Sequence, residues 1–340
     1  MIKVAVVGYG YWGPNLVRNF SNTEGCEVAY VFDLSASQLE RVRKAYPSIH
    51  TTDDYSKILK DASVDAVVIA TPVFSHFGLA KDALEHGKHV LLEKPMTASV
   101  AEAQELVELA LAKEKVLMVD HTYLYNPAVE KIKEIVDAGT LGHIKYIDST
   151  RINLGLFQTD VNVLWDLAPH DISICNYLMN DQPKAIQAIG VSHTDSDLEN
   201  IAYLTLFYSD NRIAHFNCSW VSPVKIRQML IGGDQKMIVY NDLETTEKIR
   251  VYDKGYSVLP KDERNRLLVD YRVGDVLIPK VKQKEALAGM AEDFCKAIRE
   301  GGRPLSDFHS GLQVVSILEA AGLSMKSNNS IIELNTFDYA

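Results

Sequence analysis

Two stretches of this chain hold side chains that could move a proton or steady a charge. In "GKHVLLEKPM", Glu93 and Lys94 end the apolar run that starts at His89, and Pro95 follows. A Lys–Glu pair in the open is a solvated feature of little energy. Here the pair closes an almost wholly apolar strand, and the proline fixes the backbone beyond it. That is the edge where open α/β sheets place their ligands. "ATPVFSH" ends the preceding apolar run, which sets Thr71, Pro72 and His76 on the same edge. In "VNVLWDLAPHDISI", Asp166 and His170 have the D-x-x-x-H spacing that puts both on one helix face. Pro169 lies between them and is tolerated in a first turn, which predicts Asp166 as the N-cap. An imidazole beside a carboxylate can take and return a proton near neutral pH. A lysine ammonium can stabilise a developing oxyanion. On residue types alone, Asp166 could equally only cap and His170 only pack.

A cofactor to work with such groups is written into "VAVVGYGYWGPN". Gly8, Gly10 and Gly13 are spaced G-x-G-x-x-G, after a predicted strand and at the start of a predicted helix. Gly8 lets the chain turn, Gly10 clears the backbone for a pyrophosphate, and Gly13 lets helix and strand approach. Pro14 suits the first helical turn, whose free amides and dipole favour an anion. Tyr11 and Trp12 lie inside the turn and count with it. "VAYVFDL" ends the second strand with Asp33, whose carboxylate would accept from the adenosine ribose hydroxyls and repel a 2′-phosphate. NAD is therefore expected rather than NADP.

These groups need a scaffold. Residues 3–7, 27–32, 65–70, 89–93 and 116–119 are short runs apolar on both faces, as buried parallel strands are. Helical spacing fills 14–22, 36–45, 54–60, 77–86 and 100–113. The alternation predicts an α/β Rossmann domain, a doubly wound parallel sheet, over residues 1–122. From 123 to 340 the pattern predicts an α+β domain: a helix at 127–137, then extended segments at 144–153, 184–192, 201–208, 212–220, 225–231, 236–240 and 248–252. "SDNR" (209–212) and "GG" (232–233) supply turns. The result is a large, mostly antiparallel sheet with one open face. Residues 254–284 read as irregular, helices return at 288–299 and 311–326, and "IIEL" adds an edge strand.

Composition narrows the partners. The 340 residues are 47% hydrophobic with a formal net charge of −10, which excludes a dedicated nucleic-acid binder. No run suits a membrane span or a signal peptide. Cys26, Cys175, Cys218 and Cys295 lack paired spacing, which predicts free thiols and a cytoplasmic protein without a metal site.

The order GxGxxG, Asp33, TP…H and EKP, with "ASVDAVVIATPVFSH…ALEHGKHVLLEKPMTASVAEAQELVELA" around it, resembles the Gfo/Idh/MocA oxidoreductases over nearly the whole chain. The resemblance implies that Lys94 touches both a substrate hydroxyl and the nicotinamide ribose, and that its bond to Pro95 is cis. It implies His170 as acid/base with Asp166 beside it, in the oxidation of a secondary alcohol. Whether Lys94 or His170 is the immediate base stays open. Cofactor contacts extend to Glu93, Lys94, Thr71, Pro72, His76 and His121. Substrate-side candidates are Tyr123, Arg151, Asn153, Lys94, Asp166 and His170.

"GYGYWGPNLVRNF", "DVNVLWDLAPHD" and "YRVGDVLIPKVKQKEAL" resemble a subgroup that oxidises UDP-N-acetylglucosamine or its uronate at the 3-position. This chain has Glu285-Ala286-Leu287 where the subgroup reads E-P-L. Lys225, Arg227, Arg264, Arg266 and Arg272 could meet a UDP group. The alternatives are an inositol, polyol or free-sugar dehydrogenase, and a dinucleotide-sensing regulator without turnover. The open sheet face predicts a homo-oligomer, and the family resemblance implies a dimer or tetramer paired through it.

Overall fold

A computed structural model of the protein describes residues 1–155, 157–258 and 269–337. The chain divides into two compact units: Met1–Asn126 with Lys284–Ser316, and Pro127–Gln283 with Ile317–Ala340.

In the first unit the chain runs β1 (Ile2–Val7), α1 (Gly13–Asn22), β2 (Cys26–Phe32), α2 (Ala36–Ala45), β3 (His50–Thr52), α3 (Tyr55–Lys60), β4 (Ala66–Ile69), α4 (His76–Glu85), β5 (His89–Leu92), α5 (Val100–Ala112) and β6 (Leu117–Val119). Among the described residues these strands form a six-stranded parallel sheet, ordered β3-β2-β1-β4-β5-β6. This is the doubly wound Rossmann order, which reverses between β1 and β4 and opens its ligand crevice there. The valines and isoleucines of β1, β4 and β5 are fully buried or nearly so, because both sheet faces are covered. Asp54 caps α3 by accepting from Ser56 N at 3.1 Å, and Gly87, at φ +73°, follows the end of α4. The short strand β3 is polar and was not expected.

The second unit begins with α6 (Pro127–Asp137), β7 (Ile144–Leu154) and α7 (Val163–Met179). It continues through β8 (Ala185–Val191), β9 (Ile201–Phe207), β10 (Ile213–Ser219), β11 (Val221–Gly233), β12 (Met237–Asn241), β13 (Ile249–Val258) and β14 (Val269–Leu277). Two helices precede β15 (Ile332–Glu333): α8 (Ala286–Glu300), which belongs to the first unit, and α9 (Phe308–Lys326), whose residues from Ile317 on belong to the second. Among the described residues the sheet has nine strands, ordered β14-β13-β12-β11-β7-β10-β9-β8-β15, antiparallel except where β10 meets β7. One face lies under α7. On the other, Ile189, Val191, Tyr203 and Ile213 are exposed. The hairpin at "SDNR" forms, with Asp210 and Asn211 at positive φ.

Three expectations are corrected. Gly232 and Gly233 are not a turn but the end of β11, where a Cβ on Gly232 would come within 2.0 Å of the Tyr146 ring. The 254–284 stretch is not wholly irregular, since β13 runs through it and β14 pairs with it. Asp166 is not the N-cap of its helix. Asn162 is, accepting from Leu164 N at 3.1 Å and Trp165 N at 3.2 Å, so Asp166 lies in the first turn and Pro169 inside α7. Pro169 therefore gives the Trp165 carbonyl no N–H.

Within the first unit, Glu285 stands at the N-cap position of α8. Its carboxylate takes both ends of the Arg18 guanidinium, at 2.6 and 2.9 Å, and the Asn19 amide. That contact ties α8 to α1. Among the described residues no helix is long and apolar enough to cross a membrane.

Helix α7 is tied to β7 by a buried ion pair. Arg151 Nε lies 3.1 and 3.0 Å from the two Asp171 oxygens, Nη2 lies 2.5 Å from Oδ1, and the Ser149 hydroxyl donates to Oδ2 at 2.9 Å. Removing one partner of such a pair leaves a charge buried alone, so Arg151→Ala is expected to cost about 3–5 kcal/mol in urea unfolding. Arg151→Met combined with Asp171→Leu is expected to recover most of that loss. A double variant no more stable than the single one would contradict this reading.

Candidate active site

The glycine turn is built by exclusion. Gly8 has φ +98°, and a Cβ there would lie 2.6 Å from the Ala70 carbonyl oxygen. A Cβ on Gly13 would lie 2.4 Å from the Gly8 carbonyl oxygen. No side chain fits either place. Gly10 differs, since a Cβ there would meet nothing within 4 Å. The backbone at position 10 thus borders open space, as a pyrophosphate cradle requires. Tyr11, 86% exposed, and the partly exposed Trp12 form an edge-to-face pair at 5.4 Å beside it. Asp33 ends β2 as expected. Its Oδ2 accepts from Tyr9 N and its Oδ1 from Ser35 N, each at 2.7 Å, so the carboxylate pins the glycine turn to the second strand. Each oxygen keeps a lone pair for a ligand hydroxyl.

The lysine edge lies at the carboxyl ends of β5 and β6. The Lys94–Pro95 bond is cis. His76 is buried, with Nδ1 3.0 Å from the Pro95 carbonyl and Nε2 2.8 Å from the Thr71 carbonyl. Burial pulls its pKa below the ordinary value. A neutral ring donates to one of these carbonyls and packs against the other, so it sits between the loop after β4 and the loop after β5. Thr71 is partly buried and its hydroxyl accepts from Ser75 at 2.7 Å, while Pro72 is exposed. Glu93 is buried next to Asp120, and burial, then the neighbouring Asp120 charge, pushes the Glu93 pKa well up. Asp120 accepts from the Thr122 hydroxyl and is itself raised by burial. His121 is fully buried, and neither ring nitrogen has a hydrogen-bond partner among the described residues. Burial, then the Lys94 charge, lowers its pKa to about 3, so the ring is neutral. A neutral imidazole with both nitrogens open fits a site shaped for a further polar group. Tyr123 is half-buried in the short turn Thr122–Tyr125.

The second unit carries the other candidates on α7 and β7. Asp166 accepts from the indole Nε1 of buried Trp220 at 2.9 Å, which fixes its carboxylate. His170, one helical turn on, is half-buried, and its carbonyl accepts from the Ser173 hydroxyl at 2.8 Å. Arg151 was expected to face substrate. It is 5% exposed, and its guanidinium pairs with Asp171. Asn153 is half-buried near the end of β7. Of the cations expected to meet a UDP group, Arg227 lies 3.7 Å from Asp242, Arg272 lies 3.1 Å from Asp253, and Lys225 is exposed on β11. Arg264 and Arg266 lie outside the described residues.

The sequence reading passed over Asp120, Asp171 and Trp220. Asp120 and Asp171 each adjoin a histidine that had been singled out, and Asp120 ends a parallel strand, where ligands gather. Trp220 carries no local signal, because it reaches Asp166 across the sheet.

Residues 2–121 match the oxidoreductase family with an NAD-binding Rossmann fold, and residues 129–239 match the Gfo/Idh/MocA C-terminal domain. Over 329 aligned positions the chain is 28% identical to the UDP-N-acetylglucosamine 3-dehydrogenase of Acidithiobacillus ferrooxidans, covering 93% of this chain and 94% of that one. A solved structure of that enzyme is similar at a TM-score of 0.77 and 26% identity, over 94% of this chain and 96% of its own. The scyllo-inositol 2-dehydrogenase (NADP(+)) of Bacillus subtilis is 24% identical over 353 aligned positions, covering 97% and 96% of the two chains. An oxidoreductase from Agrobacterium radiobacter, solved with NAD+, L-tartaric acid and magnesium, shares the fold at a TM-score of 0.80 and 17% identity, with 98% of each chain covered. The glycine turn, the acid that ends β2 and these matches over both units lead to one conclusion: the chain belongs to the Gfo/Idh/MocA oxidoreductases.

Proposed function

We propose that this chain oxidises a secondary hydroxyl of a sugar or nucleotide sugar, with the 3-position of UDP-N-acetylglucosamine or its uronate as the best match. The observation that carries the reaction class is Lys94, held beside the buried Glu93–Asp120 pair at the strand edge that ends in the cis Pro95 bond. The substrate reading is supported by the relative that is 28% identical along almost its full length. An inositol or other polyol is the second reading, favoured by the scyllo-inositol 2-dehydrogenase match.

The residues fit a dinucleotide. Gly10 leaves the approach open, and Gly8, Gly13, Tyr11 and Trp12 shape the turn around it. Asp33 would take the adenosine ribose hydroxyls and repel a 2′-phosphate, which favours NAD over NADP. A dinucleotide held there would supply the hydride acceptor. Lys94 stabilises the developing alkoxide as an ammonium ion. His170 takes the hydroxyl proton, with the carboxylate of Asp166 to support its cation. His121, Thr71 and Pro72 line the cofactor side, and Tyr123 and Asn153 the substrate side. Arg151 and His76 position backbone and helix rather than touch ligand. Retention of Lys94, Asp166 and His170 together argues against a regulator without turnover.

The open face of the nine-stranded sheet, with Tyr203, Ile189 and Ile213 exposed, is proposed to pair with a second copy. The cytoplasmic reading rests on four free thiols.

Turnover of NAD and NADP is to be screened with UDP-N-acetylglucosamine, its uronate, inositols and free hexoses. On the accepted substrate, Lys94→Ala is expected to lower kcat by about 10²-fold or more while NADH still binds. Unchanged turnover would remove Lys94 from the mechanism. Light scattering should give a dimer or larger, and a monomer at working concentration would contradict the sheet-face pairing.

A further inference from the structure

Glu93 and Asp120 each stand one step beyond a register pair, Leu92 of β5 and Val119 of β6. The backbone keeps that alignment. Glu93 N donates to Ile69 O at 2.9 Å and Asp120 N to Leu92 O at 2.7 Å. Neighbouring strands run about 4.8 Å apart, so the two carboxyls emerge side by side. Both are shut off from water, at 8% and 2% exposure. Burial, then the neighbouring Asp120 charge, raises Glu93. Two ionised carboxylates do not persist side by side at such a spot.

We propose that Glu93 and Asp120 hold one proton between them, carried on Glu93, and that the charge left on Asp120 keeps Lys94 an ammonium ion. The proton's place follows from the donors. Asp120 already accepts from the Thr122 hydroxyl, which suits an ionised oxygen. Glu93 Oε2 receives a long contact from Lys94 N, at 3.3 Å. Lys94 faces both acids, and His121, which feels the Lys94 charge, is neutral. Neutral Glu93 and anionic Asp120 leave one negative charge beside the Lys94 ammonium. With both acids ionised, two negative charges would sit side by side in a dry place. With both protonated, the ammonium would lose the charge of Asp120. Glu93 and Asp120 are thus positioning residues that act through Lys94, and the inference rests on the role proposed for that lysine.

Glu93→Gln keeps a donor towards Asp120 and the same net charge, whereas Asp120→Asn keeps the shape and removes the charge. The full-length enzyme at neutral pH is expected to show the infrared band of a protonated buried carboxyl, lost in Glu93→Gln. The titration of Lys94, followed by NMR on enzyme carrying 13C-methylated lysines and assigned by its absence in Lys94→Ala, is expected to fall by about 1–3 pH units in Asp120→Asn. It should move far less in Glu93→Gln. Absence of the band in the wild-type protein, or equal shifts in the two variants, would overturn the proposal. If Asp120→Asn does not fold, the band and its loss in Glu93→Gln decide alone. Neither readout uses turnover, so failure of the dehydrogenase reading would show separately in the Lys94→Ala assay.

Discussion

The backbone at positions 8 and 13 touches other backbone, and that contact organises the first unit. The Ala70 carbonyl stands where a Gly8 side chain would be, and the Gly8 carbonyl stands where a Gly13 side chain would be. Helix α1 can therefore start only against the ends of β1 and β4, at the point where the strand order reverses. Asp33 completes the arrangement from the other side by accepting the Tyr9 and Ser35 amides. What remains is a bare stretch at Gly10, where a side chain would meet nothing within 4 Å. The structure thus commits carbonyls and a carboxylate to holding a gap open, which makes sense when a ligand fills it.

A second theme is the handling of charge away from water. At the strand edge, burial works against every ionised group, and the protein answers with mutual partners. Glu93 and Asp120 lie side by side, His121 stays neutral, and His76 packs between two loops, donating to one of their carbonyls. In the second unit the same logic produces the Arg151–Asp171 pair and the Trp220–Asp166 bond. Buried pairs of this kind do little for net stability but are costly to break. Their value lies in holding α7, and with it Asp166 and His170, in one orientation on β7.

Much of this was legible in the sequence. Runs apolar on both faces marked the parallel strands, because only strands covered twice can afford them. The glycine spacing and Asp33 marked the turn. Other features were not readable, for identifiable reasons. His50–Thr52 is too short and polar to look like a strand, and it forms one because β2 supplies a ladder. β14 carries Asp270, Arg272 and Asp275, and such charge on an edge strand looks like a loop. The cap of α7 was placed at Asp166 because Pro169 was read as a first-turn residue, whereas Asn162 accepts two amides one turn earlier. Arg151 looked like a ligand contact because its partner, Asp171, is 20 residues away in sequence. Helix α8 packs on the first unit through Phe294 on Phe20, Asp293 on Tyr125 and Glu285 on Arg18, contacts between residues more than 160 apart that no local pattern announces.

The gap at Gly10 is the proposed seat of the dinucleotide diphosphate. Gly10→Val tests it directly, because nothing in the protein obstructs the added side chain and the fold should stand. NADH titration followed by fluorescence, beside urea unfolding of the same preparation, separates the two effects. The account predicts binding weakened by about tenfold or more with unfolding unchanged, the size expected when a phosphate loses its backbone approach. NADH bound as tightly as by the wild-type protein would contradict it.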